Sequence, residues 1–190
     1  ALLQVEEKAA SLPGLEDLSE AFGSESSTQA EIEILKSRSV VGTAVTNLNL
    51  TVTAEPRLFP IFGDFMHRRF APTAETPSAP PILGLQSFAW GGEVISVDRF
   101  EVPAAMTGKV FILQSEGDGR YTLSNDAFGL SITGRVGEPL LERGVSLYVS
   151  EMIGGTGTQF ELVQRDWLQA VKDVGGALSV SEVGRQTGII

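Results

Sequence analysis

The chain has 190 residues, of which 42% are hydrophobic and 20% are charged, and it contains no cysteine. This length and composition suit one globular domain with a substantial core, or one domain with a small insertion. The formal net charge of −10 argues against a nucleic-acid-binding protein, because such proteins gain affinity by neutralising phosphates. The lack of cysteine excludes a disulfide framework and a thiolate metal site.

Both ends of the chain read as parts of strands, residues 1–5 (ALLQV) and residues 187–190 (TGII). We therefore interpret the chain as a fragment of a longer protein. No apolar run is long enough to span a membrane. Residues 1–35 carry eight acidic residues and one lysine, so we expect this segment to face solvent or a basic partner.

The main helix is predicted at residues 28–49. Thr28 and Glu31 have the spacing of a capping box, in which the threonine oxygen accepts a backbone amide at the helix start. Apolar residues recur behind them at helical spacing. Gly42 is the predicted point of division, because glycine costs about 1 kcal/mol inside a helix. One shoulder of the helix is charged and consists of Glu31, Glu33, Lys36 and Arg38.

Residues 59–70 carry four phenylalanines and one short helical pattern. We favour a satellite core packed under a loop, because aromatic side chains usually dominate cores. The alternative is an apolar surface for a neighbour or for lipid head groups. His67 is the only histidine and makes a poor transition-metal site without cysteine. Residues 71–81 contain four prolines and predict an extended loop.

Short strands separated by turn signals are predicted from Phe88 onwards. They cover residues 93–100, 109–115, 120–124, 128–133, 145–150 and 158–163. Asp118-Gly119 lies between two alternating runs and predicts a type I′ hairpin. A helix is predicted at residues 167–174, ended by Gly175-Gly176, and a last strand at residues 177–182.

This order predicts an α+β fold, with a small α/β base domain and a β-rich, jelly-roll-like inserted lobe. The base comprises residues 1–58 and 166–190, and the lobe comprises residues 85–165. Residues 59–84 form the aromatic segment and the proline-rich loop between them. In the base, the first strand and the strand after Asn49 are expected to pair with the strand from Ala177.

No catalytic, cofactor or metal site is predicted, and we expect no enzymatic activity from this chain. Residues 154–157 (GGTG) lack the Gly-Lys-Ser/Thr end of a phosphate loop and do not open a helix. Asp118, Asn125 and Asp126 do not match a calcium loop. A single histidine without a recognisable serine and aspartate partner makes a hydrolase triad improbable.

Residues 31–38 (EIEILKSR) resemble the signature of the Wzz-type polysaccharide chain-length determinants. Further matches follow in order at residues 119–124, 144–149 and 168–180. The pattern is most similar to the Wzc-like subgroup, whose members are fused to a cytoplasmic tyrosine autokinase. Another matching segment lies between these and consists of Phe59, Pro60, Ile61, Phe62 and Gly63.

The resemblance implies the periplasmic domain of an inner-membrane polysaccharide co-polymerase, which controls the chain length or export of capsular polysaccharide or exopolysaccharide. It implies a homo-oligomer in the full-length protein and membrane anchoring through segments outside this chain. The implied partners are the polysaccharide polymerase and export machinery, at the periplasmic face of a bacterial inner membrane, with no nucleic acid. Any tyrosine kinase domain lies outside this chain. The charged shoulder is then either an oligomer interface or a solvated helix face, and both interpretations stay open.

The alternative function is a periplasmic or secreted β-sandwich module that binds carbohydrate. Such sites use exposed aromatic side chains on a concave sheet. The candidates are Trp90, Tyr121, Tyr148 and Trp167. Burial of these residues would argue against the alternative, and a coplanar exposed pair would favour it.

Overall fold

The fold is given by a computed structural model, which describes residues 24–60, 63–73 and 76–181. The strand segments predicted at residues 1–5 and 187–190 lie outside the described residues. The described helices are α1 (Ser24–Leu35), α2 (Arg38–Asn47), α3 (Gly63–Arg69) and α4 (Trp167–Ala177). The described strands are β1 (Val52–Pro56), β2 (Val94–Glu101), β3 (Val110–Gly117), β4 (Arg120–Asn125), β5 (Leu130–Arg135), β6 (Leu140–Glu142), β7 (Val145–Ile153) and β8 (Gln159–Gln164).

These elements confirm the α+β fold class. Contacts divide the chain into two units, residues 1–48 with 167–190, and residues 49–166. In the part that the structure describes, the first unit contains α1, α2 and α4, and the second contains all eight strands. The predicted division into a base domain, an aromatic segment and an inserted lobe stays a prediction.

The second unit is built on two antiparallel sheets. The first has the strand order β1-β8-β3-β4-β5, and the second has the order β2-β7-β6. Alternate residues along β3, β4 and β5 are buried, as expected for strands with one face on a core. The two sheets share one core of fully or nearly buried side chains, namely Phe100, Phe111, Leu113, Tyr121, Leu123, Leu130, Ile132, Val145, Leu147, Val149, Phe160 and Leu162.

The hairpin between β3 and β4 confirms the turn prediction. Asp118 has φ = 52° and Gly119 has φ = 72°, so both central residues adopt the positive φ that a type I′ turn requires. A register shift lies between Ser115 and Gly117, just before this turn. The hairpin therefore follows from a local signal that the sequence carries.

The pairing predicted for β1 is wrong. β1 pairs antiparallel with β8, from Val52 opposite Gln164 to Pro56 opposite Phe160. The strand predicted from Ala177 is also wrong for residues 177–181, because Ala177 ends α4 and residues 178–181 form no strand. The predicted helix end at Gly175-Gly176 fails because the hydrogen bonds continue past both glycines, with the Leu178 amide donating to the Val174 carbonyl at 2.9 Å.

None of the helices in the described residues has both the length and the apolar character needed to cross a membrane.

The shared core predicts a large difference between two leucine truncations. Leu123 is fully buried in β4, whereas Leu141 is 81% exposed in β6. We expect Leu123→Ala to lower the free energy of unfolding by about 2–5 kcal/mol, because it removes buried contacts and leaves a cavity. Leu141→Ala is the matched control and is expected to change stability by less than about 0.5 kcal/mol. Urea unfolding of both variants measures the difference, and equal losses would contradict the assigned core.

Candidate functional site

The predicted main helix is two helices, α1 and α2, and the break lies at Lys36–Ser37. Ser37 has φ = −60° and ψ = 144°, outside the helical region, and its Oγ accepts the Val40 amide at 3.3 Å. A serine in this position caps a new helix by satisfying an amide that lacks a partner. The predicted capping box at Thr28 is wrong, because α1 begins at Ser24 and Thr28 lies inside it.

The predicted division of the helix at Gly42 is wrong, because α2 is continuous through this residue. Gly42 instead contacts the Trp167 ring. A Cβ atom placed on Gly42 would lie 2.7 Å from the Trp167 ring atom Cζ2, which is too close for any side chain. The Trp167 indole nitrogen donates to Thr46 Oγ1 at 3.2 Å. Glycine at position 42 therefore allows α4 to dock its tryptophan on α2.

The charged shoulder is shared between three segments. Glu31 and Glu33 lie on α1, Lys36 lies in the turn, and Arg38 begins α2. Glu33, Lys36 and Arg38 are exposed, and Glu31 is half-buried. The Arg38 guanidinium lies 5.8 Å from the Trp167 ring centroid, within the range of a cation–π contact. Among the described residues, none of the four makes an ion pair.

Apolar side chains accompany this shoulder at the surface. Ile34 is 54% exposed, Val40 is 41% exposed and Leu48 is 68% exposed. The buried core of the helical unit, in its described part, is small and consists of Val41, Val45, Ala170 and Val171. The α1–α2 segment thus exposes both apolar and charged side chains.

The segment that begins at Phe59 packs locally. The Phe59 ring stacks on Trp90 at 5.6 Å between centroids and meets Phe88 edge-on at 5.3 Å. Gly63 is buried, and a Cβ atom there would lie 3.1 Å from Leu58 atoms. Phe59 and Gly63 therefore fit the interpretation of a satellite core. Pro60 is exposed, and Ile61 and Phe62 lie outside the described residues.

Glu93 is a buried carboxylate that the sequence analysis did not single out. Its side chain is 2% exposed and accepts the Trp90 amide at 2.9 Å and the Gly91 amide at 2.6 Å. His67 Nε2 lies 4.0 Å from Glu93 Oε2. The two amide contacts show that the buried carboxylate holds the turn after Trp90 in place. No group of three metal-ligating side chains occurs among the residues that the structure describes.

The four aromatic candidates for sugar stacking do not form a platform. Trp90 is 2% exposed and Tyr121 is fully buried. Tyr148 is half-buried, and Trp167 is 38% exposed but lies on Gly42 in the helical unit. Their placement argues against a carbohydrate-binding module that uses a flat aromatic surface.

A cleft of about 790 Å³ lies at β4, β5 and the loop after β5. It is lined by charged and hydroxyl side chains and by Tyr121, whose hydroxyl is buried and has no hydrogen-bond partner. Burial, together with the negative charge of Glu138, raises the pKa of Tyr121 to about 12. Gly134 lies opposite Tyr121 across the strands, and a Cβ atom there would lie 2.5 Å from the Tyr121 hydroxyl oxygen.

The contact between Gly42 and Trp167 predicts opposite effects for two identical substitutions. Gly175 also lies in a helix, but a Cβ atom there would have no neighbour within 4 Å. We expect Gly175→Ala to stabilise the protein by up to about 1 kcal/mol, because alanine is the better helix former. We expect Gly42→Ala to destabilise it despite the same gain, because the new methyl group displaces Trp167. Thermal unfolding followed by helix dichroism measures both, and a stabilised Gly42→Ala variant would contradict the assigned contact.

The raised pKa of Tyr121 predicts a loss of stability in alkaline solution. The unfolded chain releases the phenol proton near pH 10, whereas the folded protein retains it until about pH 12. Since the folded state then binds more protons, the free energy of unfolding falls as the pH rises above 10, by up to about 1.4 kcal/mol per pH unit. Tyr121→Phe is expected to remove this part of the loss. Tyrosinate absorbance in a Tyr148→Phe background measures the midpoint, and a value near 10 would refute the assigned burial.

Comparison with known proteins identifies the family. Residues 52–165 match the model of the family described as "Tyrosine-protein kinase Wzc, N-terminal domain". A protein of Ralstonia nicotianae that is named as a tyrosine-protein kinase, EpsB, is 40% identical over 100% of this chain and 25% of its own length. The tyrosine-protein kinase Wzc of Salmonella typhi is 29% identical over 100% of this chain and 24% of its own.

The tyrosine-protein kinase Etk of Escherichia coli K12 is 31% identical over 100% of this chain and 23% of its own length. The chain thus spans 25% or less of these three relatives. A crystal structure of Xanthomonas campestris FlgL covers 50% of this chain and 34% of its own at 18% identity, with a TM-score of 0.29 that supports no argument. The match over residues 52–165 shows that this chain belongs to the family of Wzc N-terminal domains.

Proposed function

We propose that the chain is the N-terminal periplasmic domain of an inner-membrane protein that controls the chain length or the export of a capsular polysaccharide or exopolysaccharide. The observation that carries the proposal is the family match over residues 52–165, supported by relatives that align along the whole chain. These relatives are named as tyrosine kinases, and the chain spans 25% or less of each. In the proposal, the kinase chemistry belongs to a cytoplasmic part of the protein outside these residues.

The proposed contribution of this domain is assembly, not catalysis. The support comes from the α1–α2 segment, where exposed Ile34 and Val40 lie beside Glu33, Lys36 and Arg38. In a closed ring, one copy would cover the apolar side chains of the next, and the charged residues would set the register. The net charge of −10 supports a partner other than nucleic acid.

The proposal gives membrane anchoring a part in the assembly. An exposed ion pair contributes only about 0–1 kcal/mol, so a few such pairs do not hold separate domains together. Anchoring by segments outside this chain would raise the effective concentration of neighbouring domains, which strengthens a weak interface without adding contacts. We therefore expect the isolated chain to be monomeric and the anchored protein to form a closed oligomer.

One apolar-to-charged substitution tests the assembly. In the full-length protein in detergent, we expect Ile34→Glu to reduce the mass measured by light scattering, because a buried and unpaired charge would oppose the interface. Leu141→Glu is the matched control, since Leu141 is 81% exposed in the β unit. A monomeric unmodified protein would overturn the assembly proposal, and an unchanged mass for Ile34→Glu would remove α1 from the interface.

A further inference from the structure

The cleft at β4 and β5 is lined mainly by exposed polar and charged side chains. It is lined on one side by Arg120 and Arg135, and Glu116 and Glu138 also lie in its wall. Thr122 and Thr133, which are opposite one another across the two strands, add hydroxyl groups. Its volume of about 790 Å³ lies within the range of ordinary ligand pockets.

The two arginines occupy an unfavourable arrangement. Arg120 lies directly opposite Arg135 in the antiparallel pair of β4 and β5. Like charges in directly opposite positions destabilise a sheet. Arg120 has only a loose ion pair with Asp118 at 4.0 Å, between two exposed side chains, and Arg135 has no ion pair among the described residues. An anionic group bound between the guanidinium groups would remove the repulsion and could accept hydrogen bonds from both.

Tyr121 faces away from the arginine pair. Its side chain is fully buried next to Arg120 in β4, and its hydroxyl makes no hydrogen bond. Because successive side chains of a strand point to opposite faces, a ligand between the two arginines does not reach this hydroxyl. The ligand contacts of the cleft therefore come from its exposed charged and hydroxyl side chains.

The charge balance of the cleft restricts the ligand further. Two arginines and two glutamates give the lining a formal charge of zero. A bare anion such as phosphate would meet the glutamates as well as the arginines, and would gain little. A ligand that presents one carboxylate and several hydroxyl groups would satisfy both kinds of side chain, because its hydroxyls donate to the glutamates and its carboxylate accepts from the arginines.

We propose that this cleft binds a carboxylate-bearing sugar unit, with the carboxylate between Arg120 and Arg135 and the sugar hydroxyls facing Glu116 and Glu138. The sugar part of this assignment rests on the proposed function, and the carboxylate part rests on the cleft itself. The cleft thereby becomes the place at which this domain contacts an acidic polysaccharide.

Titration calorimetry of this chain with a short oligogalacturonate tests the proposal, with the fully methyl-esterified oligomer as the neutral probe. We expect the acid to bind and the ester to bind about tenfold or more weakly, because the ester removes the charge-assisted hydrogen bonds. Acetate and inorganic phosphate form a third arm, and neither is expected to displace the oligomer. Equal binding of acid and ester, displacement by phosphate, or no heat with the acid would each overturn the proposal.

Three variants connect binding to the cleft. Arg135→Gln is expected to weaken oligogalacturonate binding by about tenfold, because it removes one charge and keeps an amide donor. Arg99→Gln is the matched control, because Arg99 is exposed on β2 in the other sheet. Tyr121→Phe is a second control, because the Tyr121 hydroxyl is buried on the opposite face of β4, and binding is expected to stay unchanged. Equal weakening by Arg99→Gln and Arg135→Gln would show that the cleft is not the site.

The outcomes of the binding test and of the assembly test can be distinguished. If the full-length protein forms its oligomer but the chain binds no oligogalacturonate, only the cleft proposal is wrong. If the chain binds the acid at the cleft but the full-length protein is monomeric, the assembly proposal is wrong and the binding site remains. Should Arg135→Gln change the mass of the full-length oligomer and leave sugar binding unchanged, the arginine pair holds an acidic segment of a neighbouring copy, which overturns the sugar assignment.

Discussion

The pairing of β1 with β8 is the constraint on which the rest of the chain depends. The two strands are far apart in sequence and lie antiparallel, with Val52 opposite Gln164. Beyond this pair the Arg165 amide donates to the Thr51 carbonyl at 2.7 Å, so the chain leaves the sheet at two adjacent points. α2 precedes one of these points and α4 follows the other. The helical unit can therefore be assembled from two distant segments of the chain without a long connection.

The two units differ in how completely they bury their apolar side chains. The β unit encloses a core of large residues such as Phe111, Leu123 and Phe160, and needs no partner to bury them. The described part of the helical unit buries four small side chains and leaves Ile34 and Leu48 more than half exposed. Trp167, fitted to Gly42, is its most specific contact. In our account the β unit is the scaffold, and the helices supply the surface that meets a neighbouring copy.

Local signals in the sequence predict the hairpin at Asp118-Gly119, but they misplace the helix start at Thr28 and the helix end at Gly175-Gly176. They do not predict long-range pairing. Asp118-Gly119 predicts its hairpin because the turn depends on two adjacent residues. The division predicted at Gly42 is wrong because the sequence shows only the cost of a glycine in a helix. The residue that requires a glycine there, Trp167, lies far along the chain. The partner of β1 could not be predicted from the sequence, because the hydrophobic pattern of a strand does not specify which other strand it pairs with.

The candidate site shows the same division. The charged shoulder is visible in residues 31–38, although the break at Ser37 distributes it over two helices and a turn. The cleft is invisible in the sequence, because Arg120 and Arg135 become neighbours only through the register of β4 and β5. The family resemblance, which rests on several short segments in order, is confirmed by the match over residues 52–165.

Disulfide trapping in the membrane tests the central claim, that the α1–α2 surface joins copies of this domain. This chain contains no cysteine, so Glu33→Cys introduces one thiol at a known position, and other cysteines of the full-length protein are replaced first. Oxidation of membranes is expected to link Glu33→Cys copies into covalent dimers, whereas Glu142→Cys, on β6 in the other unit, stays monomeric. Dimers from Glu142→Cys alone, or none from Glu33→Cys in an intact oligomer, would contradict the account.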